Sequence, residues 1–381
     1  MEWIPLVKPS YGPAEEKELI SNLRAGNIQG DGPYTKKLHE YFQKIYSAEK
    51  ALFTPSCTDA LELAALLLDL KPGDEVIVPS YTFTSSANAF ALRGANIIFA
   101  DSRADHPNVS LESIKKLIGP KTRAVVPVHY AGFACEMDEL MKLAEKKNFV
   151  VVADAAQAID STYLGKPTMA WGHMSTLSFH QTKNISCGEG GMLIINDKRF
   201  AHRAEILREK GTNRAAFFRG EVDKYNCVDI GSSFLGSDLL ASLLWAQLER
   251  IQELQKARHK IWSTYHEQLK TLGNLVGLPK ILAGTEHNAH CYYLVCKDLE
   301  QRTRLNQFLK ERKIGATFHY LSLHKSPHYG PTHGNRELPN SDHYTDSLLR
   351  LPLYPTLTDA EIQHVILSVH EFFGNLSISK S

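Results

Sequence analysis

The sequence predicts an α/β fold in which a large, mainly parallel sheet is followed by a smaller α+β part. Units of one strand and one helix repeat between residues 51 and 153, and the strands of these units are continuous apolar runs. Such strands are typical of a parallel sheet that helices cover on both faces. After residue 273 the pattern changes to α+β. We therefore expect a large domain at 1–240, then a bridging helix and a small domain at 241–381.

The predicted elements follow one another in a regular order. Helices at 14–24 and 35–47 precede the sheet. Strands at 51–54, 75–79, 96–100, 123–128 and 149–153 alternate with helices at 59–70, 85–92, 111–118 and 136–147. Two further strands, at 174–179 and 192–195, flank a glycine-rich turn. A basic helix at 199–211 and a polar loop at 212–233 follow them. The remaining elements are a long helix at 237–272, strands near 290–296 and 316–320, and helices at 301–313 and 359–373.

Composition excludes several classes of protein. The chain has 43 Lys and Arg residues against 42 Asp and Glu, and no long basic run, so no nucleic-acid surface is predicted. No apolar stretch approaches the roughly 20 residues that a membrane span needs. The six cysteines form no CxxC pair and are typical of free thiols in a reducing cytoplasm. Three histidines near residue 330 lack a closed ligand set, so no metal site is predicted.

Polar and aromatic residues follow several of the predicted strands. Examples are Ser56, Asp154 and Lys183. The carboxyl ends of parallel strands meet at one edge of a sheet, where ligands bind, so these side chains are expected to converge. Ser56 also opens a helix, whose free N–H groups and dipole favour an anion such as a phosphate. Ordinary N-capping of that helix explains the serine equally well.

These residue types suit one chemistry. A lysine on a rigid support, such as Lys183, can form an imine with an aldehyde cofactor, although most lysines at strand ends are solvated. Asp154 ends a buried strand, where a carboxylate needs a cation, and a protonated pyridine nitrogen would supply one. The alternative role for Asp154 is to cap the turn that follows the strand. Gln157 could donate a hydrogen bond to a phenolate oxygen, and Ser178 could bind a phosphate oxygen. Phe83 could stack on a flat ring, or it could pack in the core.

The same residues carry a resemblance to a known family. The chain resembles the DegT/DnrJ/EryC1/StrS sugar aminotransferases, which are fold-type I enzymes dependent on pyridoxal 5'-phosphate (PLP), over residues 4–373. Within that family it is most similar to the branch that makes dTDP-4-amino-4,6-dideoxygalactose for enterobacterial common antigen. The segments that carry the match are TPSCT at 54–58, PSYTF at 79–83, PVHYAG at 127–132, DAAQ at 154–157, SFHQTKN at 178–184, REKGTNR at 208–214, FFRG at 217–220, VDKY at 222–225 and DIGSS at 229–233.

The resemblance implies roles for the residues that match. Lys183 would bind the cofactor and carry a proton between Cα of the amino donor and C4 of the sugar. Asp154 would hold the pyridine nitrogen, Gln157 the phenolic oxygen, and Phe83 would stack on the ring. The cofactor phosphate would be bound by Ser56, Cys57, Thr58 and Ser178. Many members of the family offer an asparagine to the neighbouring subunit's phosphate where this chain has Ser233. The resemblance also implies a homodimer with its active site at the interface.

The substrates follow from the resemblance as well. It implies that L-glutamate converts PLP to pyridoxamine phosphate (PMP) and that the amine then passes to dTDP-4-keto-6-deoxy-D-glucose. Candidates for the donor carboxylate or the diphosphate are Lys210, Asn213, Arg214 and Arg219. Candidates for the sugar or base pocket are His129, Tyr130, Tyr225, His319, Tyr320 and His324. Surface ion pairs and packed aromatic rings are the alternative for each.

Two rival functions stay open from sequence, and a third is disfavoured. A related aminotransferase could give the 4-amino gluco epimer or a 3-amino sugar, because the same lysine serves all of these products. A non-catalytic PLP-binding regulator is a rival from another class. A sugar 3-dehydratase of the family is disfavoured, because that branch carries a histidine where this chain has Lys183.

Overall fold

The computed structural model describes residues 2–378, with the side chains of residues 2–374. The strands, in chain order, are β1 (Lys50–Thr54), β2 (Glu75–Pro79), β3 (Asn96–Ala100), β4 (Thr122–Val125), β5 (Val150–Asp154), β6 (Thr162–Tyr163), β7 (Lys166–Pro167), β8 (Met174–Ser178), β9 (Gly191–Ile195), β10 (Thr285–Glu286), β11 (Tyr292–Val295), β12 (Thr317–Phe318) and β13 (Leu348–Leu351). Within the described residues the central sheet has seven strands in the order β1-β9-β8-β5-β4-β2-β3.

The central sheet is mainly parallel, as predicted. Strands β3, β2, β4, β5 and β8 pair in parallel. β9 is reversed and pairs antiparallel with both β8 and β1, so β1 points in the same direction as β8 and β5. The carboxyl ends of β1, β5 and β8 therefore lie at the same edge of the sheet.

Helices cover both faces of this sheet. The helices, in chain order, are α1 (Pro13–Ala25), α2 (Pro33–Tyr46), α3 (Cys57–Leu67), α4 (Ser85–Ala91), α5 (Leu111–Leu117), α6 (Met137–Lys147), α7 (Lys198–Arg208), α8 (Arg214–Phe218), α9 (Asp238–Glu249), α10 (Ile251–Leu269), α11 (Leu299–Glu311), α12 (Gly330–His333), α13 (Pro339–Ser347) and α14 (Asp359–Ile378). Successive residues of β9 point to opposite faces of the sheet. Leu193 belongs to the core formed with α3, α4 and α7 on one face, and Met192 to the core formed with α2 and α9 on the other. On the second face, α5 and α6 cover the neighbouring strands.

The long helix predicted at 237–272 is divided at Arg250. At that residue the backbone leaves the helical range, with φ −106° and ψ 7°, and separates α9 from α10. The polar loop predicted at 212–233 contains the short helix α8. α9 packs with the central sheet, while Ile261, Trp262 and Tyr265 of α10 belong to the core of the C-terminal part.

The C-terminal part has its own small sheet. β13 lies between β11 and β12, and both pairings are antiparallel. Helices α10, α11 and α14 enclose this sheet in an apolar core that Tyr81, Tyr130 and Phe133 of the large part also join. The division of the chain at residue 240 stays a proposal, and residues 379–381 of the second predicted domain lie outside the described part. No helix among the described residues is both long and apolar enough to cross a membrane.

Candidate active site

A cavity of about 590 Å³ lies where the chain leaves β1, β5 and β8. The C-terminal part lines the other side with His290, which lies before β11, His319 and Tyr320, which follow β12, and Arg350 of β13. The structure brings these predicted residues together in its lining: Ser56, Cys57, Thr58, Phe83, Asp154, Gln157, Ser178, Lys183, His319 and Tyr320. The convergence predicted from strand ends is thus present in the fold.

Lys183 stands on a short, well-braced loop after β8. Its backbone N–H donates to the carbonyl of His180 at 2.9 Å, and Gln181 N donates to Gly188 O at 2.9 Å, which ties the loop to the glycine-rich turn. The side chain reaches the cavity wall, and desolvation there lowers the pKa of the Lys183 amine. Cys57 and Asp154 oppose this lowering of the pKa, and the positive charge of Arg350 adds to it.

Asp154 ends β5 as a buried carboxylate with a relative exposure of 5%. Ser86 Oγ donates to its Oδ2 at 2.6 Å, and Ala156 N donates to its Oδ1 at 3.1 Å. Burial still raises the pKa of Asp154, although these two bonds and the charge of Lys183 oppose the shift. A buried carboxylate in this condition is a site that a ligand cation would stabilise.

Gln157 presents its amide to the cavity in one defined orientation. Its Oε1 accepts from the backbone N–H of Ala131 at 2.7 Å, so Nε2 must face the other way. Nε2 donates to the hydroxyl of Tyr320 at 2.8 Å. Because an amide nitrogen carries two hydrogens, one N–H of Gln157 remains for an acceptor in the cavity.

The turn between β1 and α3 lines one end of the cavity and has the chemistry of an anion site. Ser56 caps α3, accepting from Asp59 N at 3.0 Å, so the capping interpretation holds for this residue alongside its place in the lining. The first-turn N–H groups of an α-helix have no partner within the helix, and the dipole there favours negative charge. β9 passes so close to this turn that a Cβ on Gly191 would lie 2.3 Å from Ser56 O.

Residues that sequence reasoning missed also line the cavity: His180, Thr182, His290 and Arg350. The position of His290 is set by Asn184, whose Nδ2 donates to Gln255 Oε1 at 2.9 Å and to the carbonyl of Asn288 at 2.8 Å. Asn184 Oδ1 must therefore accept from His290 Nδ1, 2.8 Å away, which leaves His290 Nε2 as an acceptor. Burial holds the pKa of His290 well below its usual value.

Three of the predicted pocket residues, His129, Tyr130 and His324, lie outside the cavity lining, contrary to expectation. His129 is fully buried, and its Nδ1 accepts from Cys135 N at 3.1 Å. His324 Nδ1 lies 2.7 Å from Ser80 Oγ, and its Nε2 lies 3.6 Å from Asp342 Oδ1. Tyr130 packs behind the wall, with its hydroxyl 3.3 Å from Nδ1 of His319.

The candidates in the loop at 209–233 lie outside the cavity lining of this chain. Contacts within the chain hold them there. Lys210 and Arg214 pair with Glu209, and Arg219 pairs with Glu205 and Glu221. Asn213 accepts a hydrogen bond from Asn226 N, Tyr225 packs on Phe217, and Ser233 forms a backbone bridge with Glu209. Tyr225 is 52% exposed and Phe218 69%. The side chains of this loop are therefore presented outward.

The donor set fits PLP group by group. Lys183, with its lowered pKa, suits the aldehyde; Asp154, which lacks a cation, suits a protonated pyridine nitrogen; and the start of α3 suits a phosphate. The ring would lie between these groups, beside the exposed side chain of Phe83. The fold and the site together define a fold-type I PLP-dependent enzyme.

Comparison with known proteins identifies the family. The model of the DegT/DnrJ/EryC1/StrS aminotransferase family matches residues 9–370, and the chain belongs to this family. It is 32% identical to the spore coat polysaccharide biosynthesis protein SpsC of Bacillus subtilis, over 97% of each chain. It is 33% identical to MJ1066 of Methanocaldococcus jannaschii, an uncharacterized protein, over 96% of this chain and 97% of that one.

A solved structure supports the cofactor. Spr1654 of Streptococcus pneumoniae, a proposed sugar aminotransferase, superimposes in its PMP form with a TM-score of 0.91 at 27% identity, over 100% of each chain. The same protein has also been solved in a PLP form, which superimposes with a TM-score of 0.90. The cofactor of this family is PLP, and the protein is a PLP-dependent aminotransferase.

Proposed function

We propose that the protein transfers the amino group of L-glutamate to C4 of dTDP-4-keto-6-deoxy-D-glucose. The products are 2-oxoglutarate and dTDP-4-amino-4,6-dideoxy-D-galactose. The observation that carries the transamination is the meeting of Lys183, Asp154 and Gln157 in one cavity. The choice of sugar is supported by the resemblance of the segments at 208–214 and 217–225 to the branch of the family that makes this product.

Each residue has a part in the proposed reaction. When bound, PLP supplies an aldehyde that condenses with amines and a ring that accepts electrons. Asp154 would hold the ring nitrogen in its protonated form, Gln157 would donate to the phenolic oxygen, and Phe83 would stack on the ring. Lys183 takes the proton from Cα of glutamate and delivers a proton to C4 of the sugar.

The environment of Lys183 supports its role as a base. A lysine accepts a proton only in its neutral form, and desolvation at the cavity wall lowers the pKa of Lys183 toward working pH. We expect Lys183→Ala to lose the absorbance of the lysine-bound cofactor and to lose turnover with glutamate. Full activity of this variant would contradict the assignment.

We propose that the protein acts as a homodimer in the cytoplasm, and the outward-facing loop supports the homodimer. Phe218 and Ile230 are 69% and 77% exposed, which suits contact with a second copy of the chain. We propose that Lys210, Arg214 and Arg219 reach the partner's substrate there, and that Ser233 acts on the partner's cofactor phosphate through water. Full activity of a monomer would contradict this arrangement.

The deciding experiment is incubation with dTDP-4-keto-6-deoxyglucose, glutamate and PLP, followed by NMR of the product. An axial amine at C4 is expected for the galacto product. An equatorial amine would make the protein a producer of the gluco epimer, and an amine at C3 would make it a 3-aminotransferase. PLP binding without turnover would favour the regulator.

A further inference from the structure

Two hydroxyl groups stand behind the carboxylate of Asp154. Ser86 Oγ donates to Asp154 Oδ2 at 2.6 Å, and Thr82 Oγ1 lies 2.9 Å from Ser86 Oγ. A hydroxyl carries one hydrogen, so Ser86, which gives its own hydrogen to the carboxylate, must accept from Thr82. Both hydroxyl hydrogens therefore point toward Asp154. In such a chain each bond polarises the next, which strengthens the last bond, the one to the carboxylate.

The two hydroxyl groups are shut off from solvent. Ser86 has a relative exposure of 0% and Thr82 of 2%. Ser86 lies outside the cavity lining, whereas the Asp154 carboxylate that it touches is part of that lining. The backbone N–H of Ser86 donates to the carbonyl of Phe83 at 3.2 Å, which fixes the serine at the start of α4. Because water does not reach this place, a donor removed from it would not be replaced.

Both oxygens of the Asp154 carboxylate are held from the protein side. Ser86 donates to Oδ2, and the backbone N–H of Ala156 donates to Oδ1 at 3.1 Å. Each carboxylate oxygen has about two positions for a donor, so one position on each oxygen remains. Rotation of the carboxylate would break both bonds. The orientation in which Asp154 meets a ligand is therefore set before the ligand binds.

The bond from Ser86 also favours the ionised carboxylate. Burial raises the pKa of Asp154, and among the groups that oppose this rise the Ser86 hydroxyl has the largest effect, ahead of Ala156 N and the charge of Lys183. Only an ionised carboxylate forms a charge-assisted bond with a cationic N–H group. Ser86 thus supports both the direction and the charge that such a bond requires.

We propose that Ser86, assisted by Thr82, is a positioning residue that holds the carboxylate of Asp154 toward the protonated ring nitrogen of PLP. This inference rests on the proposed function, in which Asp154 pairs with that nitrogen. Ser86 acts through Asp154 and contacts neither cofactor nor substrate. The alternative is a purely structural bond that joins α4 to β5, and the test separates the two roles.

The test compares two cofactors on the same variants. Apoprotein is titrated with PLP and with deaza-PLP, which keeps the aldehyde and the phosphate but has a C–H group in place of the ring nitrogen. Ser86→Ala should raise the Kd for PLP by about 10-fold, the low end for one charge-assisted bond, because Ala156 N still holds the carboxylate. Its Kd for deaza-PLP should match the wild type, since that ring offers Asp154 no cation. A structural role would raise both Kd values equally.

Two further variants sharpen the comparison. Ser86→Cys keeps a weak donor, so its Kd for PLP should be intermediate. Ser341→Ala is the matched control: Ser341 is also fully buried and donates to Asp101 Oδ1 at 2.8 Å, but both residues lie outside the cavity lining. Its Kd for each cofactor should match the wild type. In an Asp154→Asn background, adding Ser86→Ala should leave the ratio of the two Kd values unchanged.

The outcomes separate failure of the inference from failure of the proposed function. If the wild type binds PLP and deaza-PLP equally, Asp154 does not pair with the ring nitrogen; that part of the proposed function fails, and the inference fails with it. If the wild type prefers PLP and Ser86→Ala keeps the full preference, the inference fails alone. Should Ser86→Ala fail to fold, Ser86→Cys decides: weaker binding of PLP alone would support the positioning role, and equal weakening of both cofactors would refute it.

Discussion

Gly191 controls the shape of the turn that we propose to bind the cofactor phosphate. It pairs with Thr54 at the end of β1 and with Ser178 at the end of β8. In Gly191→Ala the new Cβ would lie 2.3 Å from Ser56 O, where ordinary contact begins at 3.4 Å, so the turn must move by 1.1 Å. Overpacking of this kind costs about 1–3 kcal/mol of stability. The shift also misaligns the N–H groups at the start of α3, and each charge-assisted bond lost costs about 1.5–3 kcal/mol.

We expect Gly191→Ala to raise the Kd for PLP by about 10- to 150-fold for each phosphate bond lost. The assay is titration of the apoprotein with PLP, followed by absorbance, with a thermal melt of the same sample. Gly119→Ala is the matched control, because its Cβ would meet no atom within 4 Å. If Gly191→Ala kept both the melting temperature and the Kd of the wild type, the reasoning about this turn would be refuted.

Two further predictions concern the cofactor ring. Asp154→Asn should lose transamination. At pH 8 its apoprotein should nevertheless melt at a higher temperature than the wild-type apoprotein. Burial raises the pKa of Asp154, so the ionised carboxylate destabilises the folded wild-type apoprotein at that pH. That advantage should begin to shrink as the pH falls through the raised pKa and should vanish near the ordinary pKa of an aspartate, where the carboxyl is neutral in the unfolded chain too. An apoprotein difference independent of pH would contradict this. Phe83→Ala should weaken PLP binding by about 3- to 10-fold, the value of one aromatic contact, without lowering the melting temperature of the apoprotein, since the ring is 57% exposed. A lower melting temperature with unchanged PLP affinity would show that Phe83 packs in the core instead.

The cofactor half of the site could be predicted because its residues follow directly after apolar runs. Asp154 and Ser178 are the last residues of β5 and β8, and Ser56 follows β1 by two positions. Strand ends are visible in the sequence, and the parallel topology carries them to one edge. Pattern does not give the direction of a side chain, however. His129 also follows a predicted strand, but its ring turns inward onto Cys135 N.

The side of the cavity that the small sheet lines could not be predicted in the same way. His290 and Arg350 are more than 100 residues beyond Lys183 in the chain, and only the packing of the small sheet brings them to the cavity. One signal was nevertheless present. Arg350 is the single charged residue in the apolar run at 348–354, and a charge inside a buried strand calls for a partner.

The two sheets contribute different chemistry to the cavity. The groups proposed to hold the cofactor, Lys183, Asp154 and Ser56, come from the central sheet and its connections. His290 and Arg350 come from the small sheet, and the bond from Gln157 to Tyr320 joins the two sides. If the cofactor is held as we propose, changes in the small sheet should alter the opposite wall of the cavity while the cofactor stays bound. The Gln157–Tyr320 bond is the contact through which such a change would reach the cofactor side.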